Sequence, residues 1–402
     1  MKKLLVFIVI VLTGAFFVSC QKEGAKLYDV SVTVIYPEGY STNDLTNIKV
    51  TMVNNLTSRE DTTRTVASGI ANFVLEEGTY TVSASIHTVE FAFNGISENV
   101  SINALNLNVD IDLVAVALKG GLVFKEIYYT GSKTPSQTSY YSDQFHEIYN
   151  NSDEIIYLDG LCIGTLDPTS SNSASVWVKA DGSLRDSLPI LFHTWMWPGT
   201  GHDYPLAPRT SIVLAQDAID HKTDAAGNPS SPVNLAGAHW ETYVAAPGKD
   251  TDTPGVPNLT LVYTTSATMV DWLSSVFGSA IILFRLPTGL DYTSFVNNPA
   301  NFKRKPGSSS IIQYMMVDKA WVIDAVEEVN TDPTKQYKRL HTSLDAGKVW
   351  CSGTYVSKSI RRKVDKIIAG KVIYKDTNNS TEDFLTEQSP TPFVHPTLVD
   401  TK

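Results

Sequence analysis

The sequence has few basic residues for its length. Its 402 residues include 32 lysines and arginines against 42 aspartates and glutamates, which gives a formal net charge of −10. The one short positive stretch, at 358–366, is typical of a solvated face or a strand edge. A protein that binds nucleic acid needs a basic patch to neutralise phosphates. We therefore do not expect nucleic acid as a partner.

Enzymatic signatures are also lacking. The chain contains no Gly-x-Ser-x-Gly elbow, no His-Glu-x-x-His helix, no glycine-rich phosphate loop and no dinucleotide fingerprint. His146-Glu147 has no second histidine at helical spacing and lies in a strand-like phrase, which excludes zinc protease chemistry. These absences do not favour an enzyme, although a hydrolase whose site follows no motif stays an alternative.

Cysteine is scarce, with three residues in the whole chain. Cys162 and Cys351 lie in apolar, alternating contexts that suit buried small residues as well as a disulfide. Their spacing does not decide between these interpretations. The third cysteine, Cys20, has a different setting.

Residues 1–19 have the parts of a secretory signal peptide. A basic start and an apolar run at 4–12 lead to Val18-Ser19-Cys20. A small residue before the cysteine is typical of a bacterial lipobox, in which cleavage follows acylation of the thiol. We expect a palmitate-bearing Cys20 and a polar tether at 20–26 that anchors the protein to the outer membrane, on either its periplasmic or its outer side. An ordinary cleaved signal or a transmembrane anchor are alternatives, but a bilayer-spanning helix needs ~20 apolar residues.

Alternating hydrophobicity dominates the chain from Tyr28 to about Leu113. Apolar and polar residues alternate with a period of two at 30–34, 80–86 and 105–113, which is typical of half-buried strands. Turn residues separate these runs. Strands at such spacing predict an antiparallel sandwich of under ~100 residues.

Part of this region resembles a known domain. Ile70-Ala71-Asn72-Phe73, followed by Glu77-Gly78-Thr79-Tyr80-Thr81-Val82, resembles the carboxypeptidase-regulatory, or prealbumin-like, domain. The resemblance covers 27–115. It implies a seven-stranded sandwich that serves as a structural spacer.

A second strand-rich region follows at 121. Lys125-Glu126-Ile127, then Phe145 to Asn150 and Leu158-Asp159-Gly160, resemble the lamin-tail domain, an immunoglobulin-like sandwich of nuclear lamins and secreted bacterial proteins. Arg209 stands where that family usually has glycine. The resemblance implies a domain at 121–393 with long insertions, followed by a tail at 394–402.

We therefore expect an all-β fold with two β-sandwiches of the immunoglobulin-like and prealbumin-like kinds. The second contains long insertions and a short helix, since Met269, Trp272, Leu273 and Val276 have helical spacing and Gly278 follows them. The whole arrangement resembles an uncharacterised family of lipoproteins, a domain of unknown function, from gut anaerobic bacteria. That resemblance implies no activity.

One strand-like phrase contains two tryptophans. If 193–197 is a strand, His193, Trp195 and Trp197 lie on one face. An exposed indole pair could stack on a sugar or an aromatic ligand. The alternative is that these residues form the inner face of a sandwich, where large apolar side chains usually lie.

Several metal-binding side chains follow this phrase. The types that a transition metal binds recur here, namely His202, Asp203, Asp217, Asp220 and His221, with His239 and Glu241 further on. Asp217 also suits the N-cap of a turn that leads to His221. Asp250-Thr251-Asp252 resembles a fragment of a calcium loop, without the glycine and the distal glutamate of an EF-hand. No cofactor is identified.

These features favour a cell-envelope lipoprotein that binds a ligand or a partner. The lipid anchor makes the membrane one partner, and an outer-membrane transporter or a glycan is another, in transport or adhesion. A purely structural envelope scaffold and a hydrolase without a recognised motif are the alternatives. An enzyme predicts a His-Asp pair or perturbed carboxylates in a cleft, whereas a binding protein predicts exposed indoles or an apolar patch.

Overall fold

A computed structural model describes residues 26–88, 90–117, 121–245, 250, 252–271 and 273–401. The predicted signal peptide at 1–19, the predicted lipidation site Cys20 and all but the last residue of the predicted tether at 20–26 lie outside the described residues. Within the described ranges, no helix has the length and apolar character needed to cross a membrane. The all-β prediction is confirmed.

The first sandwich comprises two sheets, with strand orders β4-β1-β7 and β3-β2-β5-β6-β8. Strand β1 pairs antiparallel with β4 but parallel with β7, so this sandwich is not purely antiparallel. The strands are β1 (Leu27–Ile35), β2 (Lys49–Asn54), β3 (Glu60–Arg64), β4 (Ile70–Glu76), β5 (Gly78–His87), β6 (Phe91–Ile102), β7 (Leu107–Asp112) and β8 (Val114–Ala117).

Strand β1 shows why this region folds as a sandwich. Val30, Val32 and Val34 point inward and are buried, while Ser31 and Thr33 between them are partly exposed. Burying a valine side chain stabilises the fold by about 1.5–3 kcal/mol. The inward rows of both sheets form a single apolar core.

The second sandwich also has two sheets. One has the strand order β18-β17-β12-β9-β24-β27, and the other has β21-β22-β15-β14-β20-β23, with β19 paired to β15. Three separate two-stranded pairs, β10-β11, β13-β16 and β25-β26, accompany them. The strands of this region are β9 (Leu122–Tyr128), β10 (Ser132–Lys133), β11 (Ser139–Tyr140), β12 (Phe145–Asn150), β13 (Ile156–Tyr157), β14 (Cys162–Leu166), β15 (Ser187–Met196), β16 (Pro205–Leu206), β17 (Ser211–Ala215), β18 (Trp240–Glu241), β19 (Thr260–Thr264), β20 (Ala280–Phe284), β21 (Phe302–Arg304), β22 (Gln313–Asp318), β23 (Val322–Glu327), β24 (Ser359–Arg362), β25 (Val364–Ile368), β26 (Lys371–Tyr374) and β27 (Phe384–Gln388).

The central strands of the second sandwich are buried on both faces. Every residue of β9, β12, β14 and β20 is buried. Their inner faces meet in one core, and separate apolar clusters cover the outer faces beneath the loop at 216–238, the β25–β26 hairpin and a short helix. The long insertions therefore act as a second layer over the sheets.

The prediction that the short helix lies at 269–276 is wrong, because the short helices lie elsewhere in the chain. Trp272 lies outside the described residues, and its described neighbours form no helix. The Ser274 N–H donates to Gln144 Oε1 and the Ser275 N–H donates to Ser279 Oγ. Because side chains accept from these amides, the segment follows an irregular path over the sheets. The short helices are α1 (Tyr292–Val296) and α2 (Ser380–Asp383), with single 3₁₀ turns at Pro299–Asn301, Lys319–Trp321 and Pro333–Lys335.

Both cysteines of the second sandwich are buried and free. Cys162 packs in the cluster on the outer side of β14, whereas Cys351 packs in the core between the sheets. Of the two interpretations of these cysteines, the structure supports buried small residues.

The two sandwiches contact each other through polar side chains. Lys49 Nζ lies 2.6 Å from Glu382 Oε1, and Asn94 Nδ2 donates to the Thr377 carbonyl at 2.8 Å. The described part of the segment predicted as a tail, 394–401, packs on the second sandwich. Its Asp400 pairs with Arg361 at 2.9 Å.

Candidate functional site

Trp195, on β15, and Trp197, just after it, lie in the core. Trp195 is 1% exposed and Trp197 is 0% exposed, and both pack between the two sheets. His193 is also buried, with Nδ1 2.8 Å from Thr264 Oγ1 and the other ring nitrogen bonded to the Val270 carbonyl. Their positions correspond to the inner-face interpretation, so these residues offer no exposed platform for a sugar.

The first two residues of the predicted metal set stabilise a loop. The His202 ring packs edge-on against Tyr157, with ring centroids 4.6 Å apart. Asp203 Oδ2 accepts hydrogen bonds from the N–H and the hydroxyl of Thr200. The structure does not bring this pair together with the other three residues of the set.

The other three residues of the set lie around one turn. His221 Nε2 donates to the Asp217 carbonyl at 3.0 Å, and Nδ1 lies 2.7 Å from the Tyr140 hydroxyl. Burial lowers the pKa of His221 to about 4, so the ring is neutral at pH 7. Both ring nitrogens are engaged, which leaves no lone pair for a metal in this arrangement. Asp220 Oδ1 accepts from the Lys222 N–H at 3.1 Å, as in a local turn.

Asp217 belongs instead to a cluster of three carboxylates. Oxygens of Asp217, Asp250 and Asp271 all lie within 4.8 Å of one another. Gln216 Nε2 donates to Asp271 at 2.9 Å, and the Val244 N–H donates to Asp250 at 2.9 Å. Sequence reasoning identified Asp217 and Asp250 separately, but it missed Asp271, which has no neighbouring metal-ligand residue.

Burial, and for Asp217 a neighbouring carboxylate, favours the protonated form of two members of this cluster. Burial and the neighbouring Asp271 raise the pKa of Asp217 to about 8, and burial also raises the pKa of Asp271. Among the described residues, no lysine or arginine forms an ion pair with either of these two. Calcium takes 6–8 oxygen ligands, so three carboxylates would supply only part of a site. Metal binding here stays a prediction.

The other two candidates serve the backbone around the same insertion. His239 Nδ1 accepts from the Val213 N–H at 3.0 Å. Glu241 accepts from the Ala218 N–H at 3.0 Å and from the Thr253 N–H at 2.7 Å. Both side chains stabilise the path of the insertion over the sheet.

A surface pocket of about 390 Å³ lies beside the loop that contains His202. This volume falls within the 300–1,000 Å³ typical of ligand sites. Strand β13, the turn after it, the loop at 198–204 and the end of β20 form its walls. The residues that line it are Ile155, Ile156, Tyr157, Asp159, Gly201 and Arg285. Sequence reasoning singled out His202 and Asp203 next to this pocket but missed Arg285.

Arg285 contributes an unpaired positive charge to the pocket. Its Nη2 donates to the Tyr157 carbonyl at 2.6 Å, and its backbone N–H donates to the Trp321 carbonyl. Its Nε is buried and makes no hydrogen bond. In the part of the chain that the structure describes, no carboxylate forms an ion pair with this guanidinium.

Asp159 gives the pocket its shape. Its Oδ1 accepts from the N–H groups of Gly201 and Asp203, and its Oδ2 accepts from the Tyr204 N–H. Burial opposes ionisation, but these three donors together hold the pKa of Asp159 below its ordinary value. Gly199 makes the close wrapping possible, because it has a φ of +124° and a Cβ there would lie 2.1 Å from Asp159 Oδ1.

Comparison with known proteins supports the family expectation in part. Residues 207–391 match the model of a family described as "Protein of unknown function (DUF4876)". The chain is also similar to the crystal structure of a DUF4876 family protein from Bacteroides thetaiotaomicron VPI-5482. The two are 28% identical, the match covers 93% of this chain and 98% of the other, and the TM-score is 0.63. None of the curated proteins matches the chain.

The match to the DUF4876 model is confined to residues 207–391. This stretch falls within the region predicted as 121–393. The predicted resemblance to an unknown-function family of gut anaerobes is confirmed at this level. The lipid anchor and the two domain resemblances, to prealbumin-like and lamin-tail domains, stay predictions.

Proposed function

We propose that the protein is a lipid-anchored envelope protein whose second sandwich binds a small ligand in the pocket beside Arg285. One observation carries the proposal: a partly buried guanidinium lines a pocket of ligand size and has no ion-pair partner among the described residues. A guanidinium has five N–H donors. The Arg285 guanidinium donates one of them to the Tyr157 carbonyl. Removing such a charge from water is costly unless a partner compensates. A ligand would supply that compensation.

The lipobox supports the envelope location. Acylation at Cys20 would anchor the chain to the outer membrane, and the first sandwich would stand between the anchor and the pocket. Such a module could pass its ligand to an outer-membrane transporter or hold the cell to a glycan. A membrane partner and a ligand partner are both part of this proposal.

Catalysis has less support because the contact between Ser211 and His395, two partly exposed residues, is not arranged for it. Ser211 Oγ lies 3.3 Å from His395 Nε2, but its hydroxyl donates to Glu147 Oε1 at 2.6 Å. His395 Nδ1 is buried and makes no hydrogen bond. A nucleophilic serine needs a histidine that a third group orients, so this contact favours packing over chemistry.

A thermal melt of the mature chain with a panel of sugars, amino acids and organic acids tests the proposal. A ligand that binds only the folded state at a hundred times its dissociation constant stabilises the protein by about 2.7 kcal/mol. We expect at least one compound to raise the Tm, and Arg285→Gln to abolish that rise. Arg304→Gln is the matched control, since Arg304 is exposed on β21. A scaffold predicts no shift with any compound.

A further inference from the structure

The pocket's charge and its donors indicate the class of its ligand. Resting on the proposed small-ligand function, we infer that the pocket beside Arg285 takes a hydroxylated monocarboxylate, the chemistry of a uronic acid. Arg285 would bind the carboxylate, Asp159 would accept from a hydroxyl, and the carbon skeleton would lie against Ile155 and Tyr157.

Arg285 has the geometry to recognise a carboxylate. A guanidinium presents parallel N–H groups that match the two oxygens of a carboxylate. Nη2 gives one hydrogen to the Tyr157 carbonyl, so its second hydrogen and both hydrogens of Nη1 stay available to a ligand. Because Nε is buried, the ligand would approach the outer edge formed by Nη1 and Nη2.

The second charge in the pocket disfavours a phosphate. Asp159 lines the same pocket as Arg285 and does not pair with it. A phosphate ester carries about −1.5 to −2 charges at pH 7, so the Asp159 carboxylate repels it more strongly than it repels a group with a single negative charge. A carboxylate with a single negative charge is the better match.

Asp159 can also recognise a hydroxyl group. The Gly201 and Asp203 N–H groups donate to Oδ1, and the Tyr204 N–H donates to Oδ2. A carboxylate oxygen can accept more than one hydrogen bond, so a ligand hydroxyl would donate to Asp159 on the side that lines the pocket. An acid without hydroxyl groups could not make this hydrogen bond, so a hydroxy acid should bind more tightly than a simple fatty acid.

The walls of the pocket complete the match to a sugar-like skeleton. Ile155 is 56% exposed and presents an apolar side chain to the pocket. The Tyr157 ring is held in place by its edge contact with His202. The C–H face of a sugar ring packs well against such apolar and aromatic surfaces. Because the surrounding loops are already held by hydrogen bonds, little ordering is needed on binding.

Titration calorimetry on the mature chain distinguishes these contributions. The probes are galacturonate, its methyl ester, galactose, gluconate and inorganic phosphate. We expect galacturonate to bind, and the methyl ester and galactose to bind about tenfold more weakly or worse, the loss expected for a charge-assisted hydrogen bond. Arg285→Gln should weaken galacturonate to the level of galactose, whereas Arg304→Gln should not change it.

The outcomes distinguish a failure of the carboxylate inference from a failure of the proposed small-ligand function. If gluconate binds as tightly as galacturonate, the hydroxy-acid inference is supported and extends to open-chain acids. If galacturonate binds and gluconate binds weakly, the inference is supported for cyclic uronic acids, such as those at the end of a glycan. Galactose or phosphate binding as tightly as galacturonate would overturn the carboxylate inference and leave small-ligand binding intact. No binding of any probe, neutral or charged, would overturn both. The methyl ester tests the charge even if Arg285→Gln fails to fold.

Discussion

Lys125 and Glu147 form an ion pair on adjacent strands that solvent does not reach. Lys125 Nζ lies 2.7 Å from Glu147 Oε2, and both side chains are 0% exposed. The two atoms are at ion-pair distance, although they are not aligned as a hydrogen bond. Glu147 also accepts from the Ser211 hydroxyl and the Phe393 N–H. The pair therefore joins β9, β12 and β17 to the C-terminal segment.

Lys125→Met should destabilise the protein strongly. The substitution leaves the Glu147 carboxylate buried without its cation, which typically costs about 3–5 kcal/mol. Urea unfolding followed by far-UV circular dichroism measures this loss. The double variant Lys125→Met/Glu147→Gln should recover part of the loss because no unpaired charge is left. A single variant that costs less than ~1 kcal/mol would show that water reaches the pair.

The Asp217–Asp271 pair should make stability fall as pH rises. Burial and mutual repulsion raise the pKa of Asp217 from 3.8 to about 8, so the folded state binds a proton more tightly than the unfolded state. Its contribution is fully present below about pH 4 and is lost as pH rises to about 8. Asp217→Asn should reduce the drop in Tm between pH 5 and pH 9. Asp110→Asn, an exposed aspartate on β7, should leave that drop unchanged. Equal pH profiles for wild type and Asp217→Asn would contradict the pairing.

Trp195→Ala should test the core position of the indole. Removing a large aromatic side chain from a packed core costs about 3–5 kcal/mol. Trp350, which is 37% exposed, provides the comparison, and Trp350→Ala should cost much less. Chemical denaturation of both variants measures the difference. If Trp195→Ala were no more destabilising than Trp350→Ala, the indole would not be a core residue.

Cys20→Ala should produce a protein that is not acylated. The thiol of Cys20 is the predicted attachment point of the lipid, so labelled palmitate should enter the wild type and not this variant. Cys351→Ala should be labelled like the wild type, since the Cys351 thiol is buried in the second sandwich. Palmitate that stays on Cys20→Ala would place the lipid elsewhere or refute the anchor.

The sequence predicted strands best where one face meets water. In β1, valines alternate with serine and threonine because one face packs on the core and the other does not. In β12 the phrase from Phe145 to Asn150 contains His146 and Glu147, yet all its residues are buried. Insertions far away in the sequence cover its outer face, and alternation within the strand carries no information about them.

The candidate site was less predictable, for physical reasons. Asp217 and Asp271 meet because the insertions bring their carboxylates together over a sheet, and their separation along the chain gives no sign of this. Arg285 is a candidate because it lines the pocket and no carboxylate among the described residues forms an ion pair with it. The sequence alone does not show which arginines lack such a partner, because the fold determines it. The helical spacing at 269–276 misled because side chains of Gln144 and Ser279, and not helical carbonyls, accept from the Ser274 and Ser275 N–H groups.

The C-terminal segment sets when the second sandwich can be completed. Thr391 donates to Glu126 across 265 residues of sequence, and the same segment covers the buried charges of β9 and β12. At about 5–20 residues per second, synthesis of that intervening chain takes roughly 15–50 s. Throughout that interval, two apolar central strands are made but lack their cover. The nascent chain must avoid aggregation throughout this interval before its fold can close.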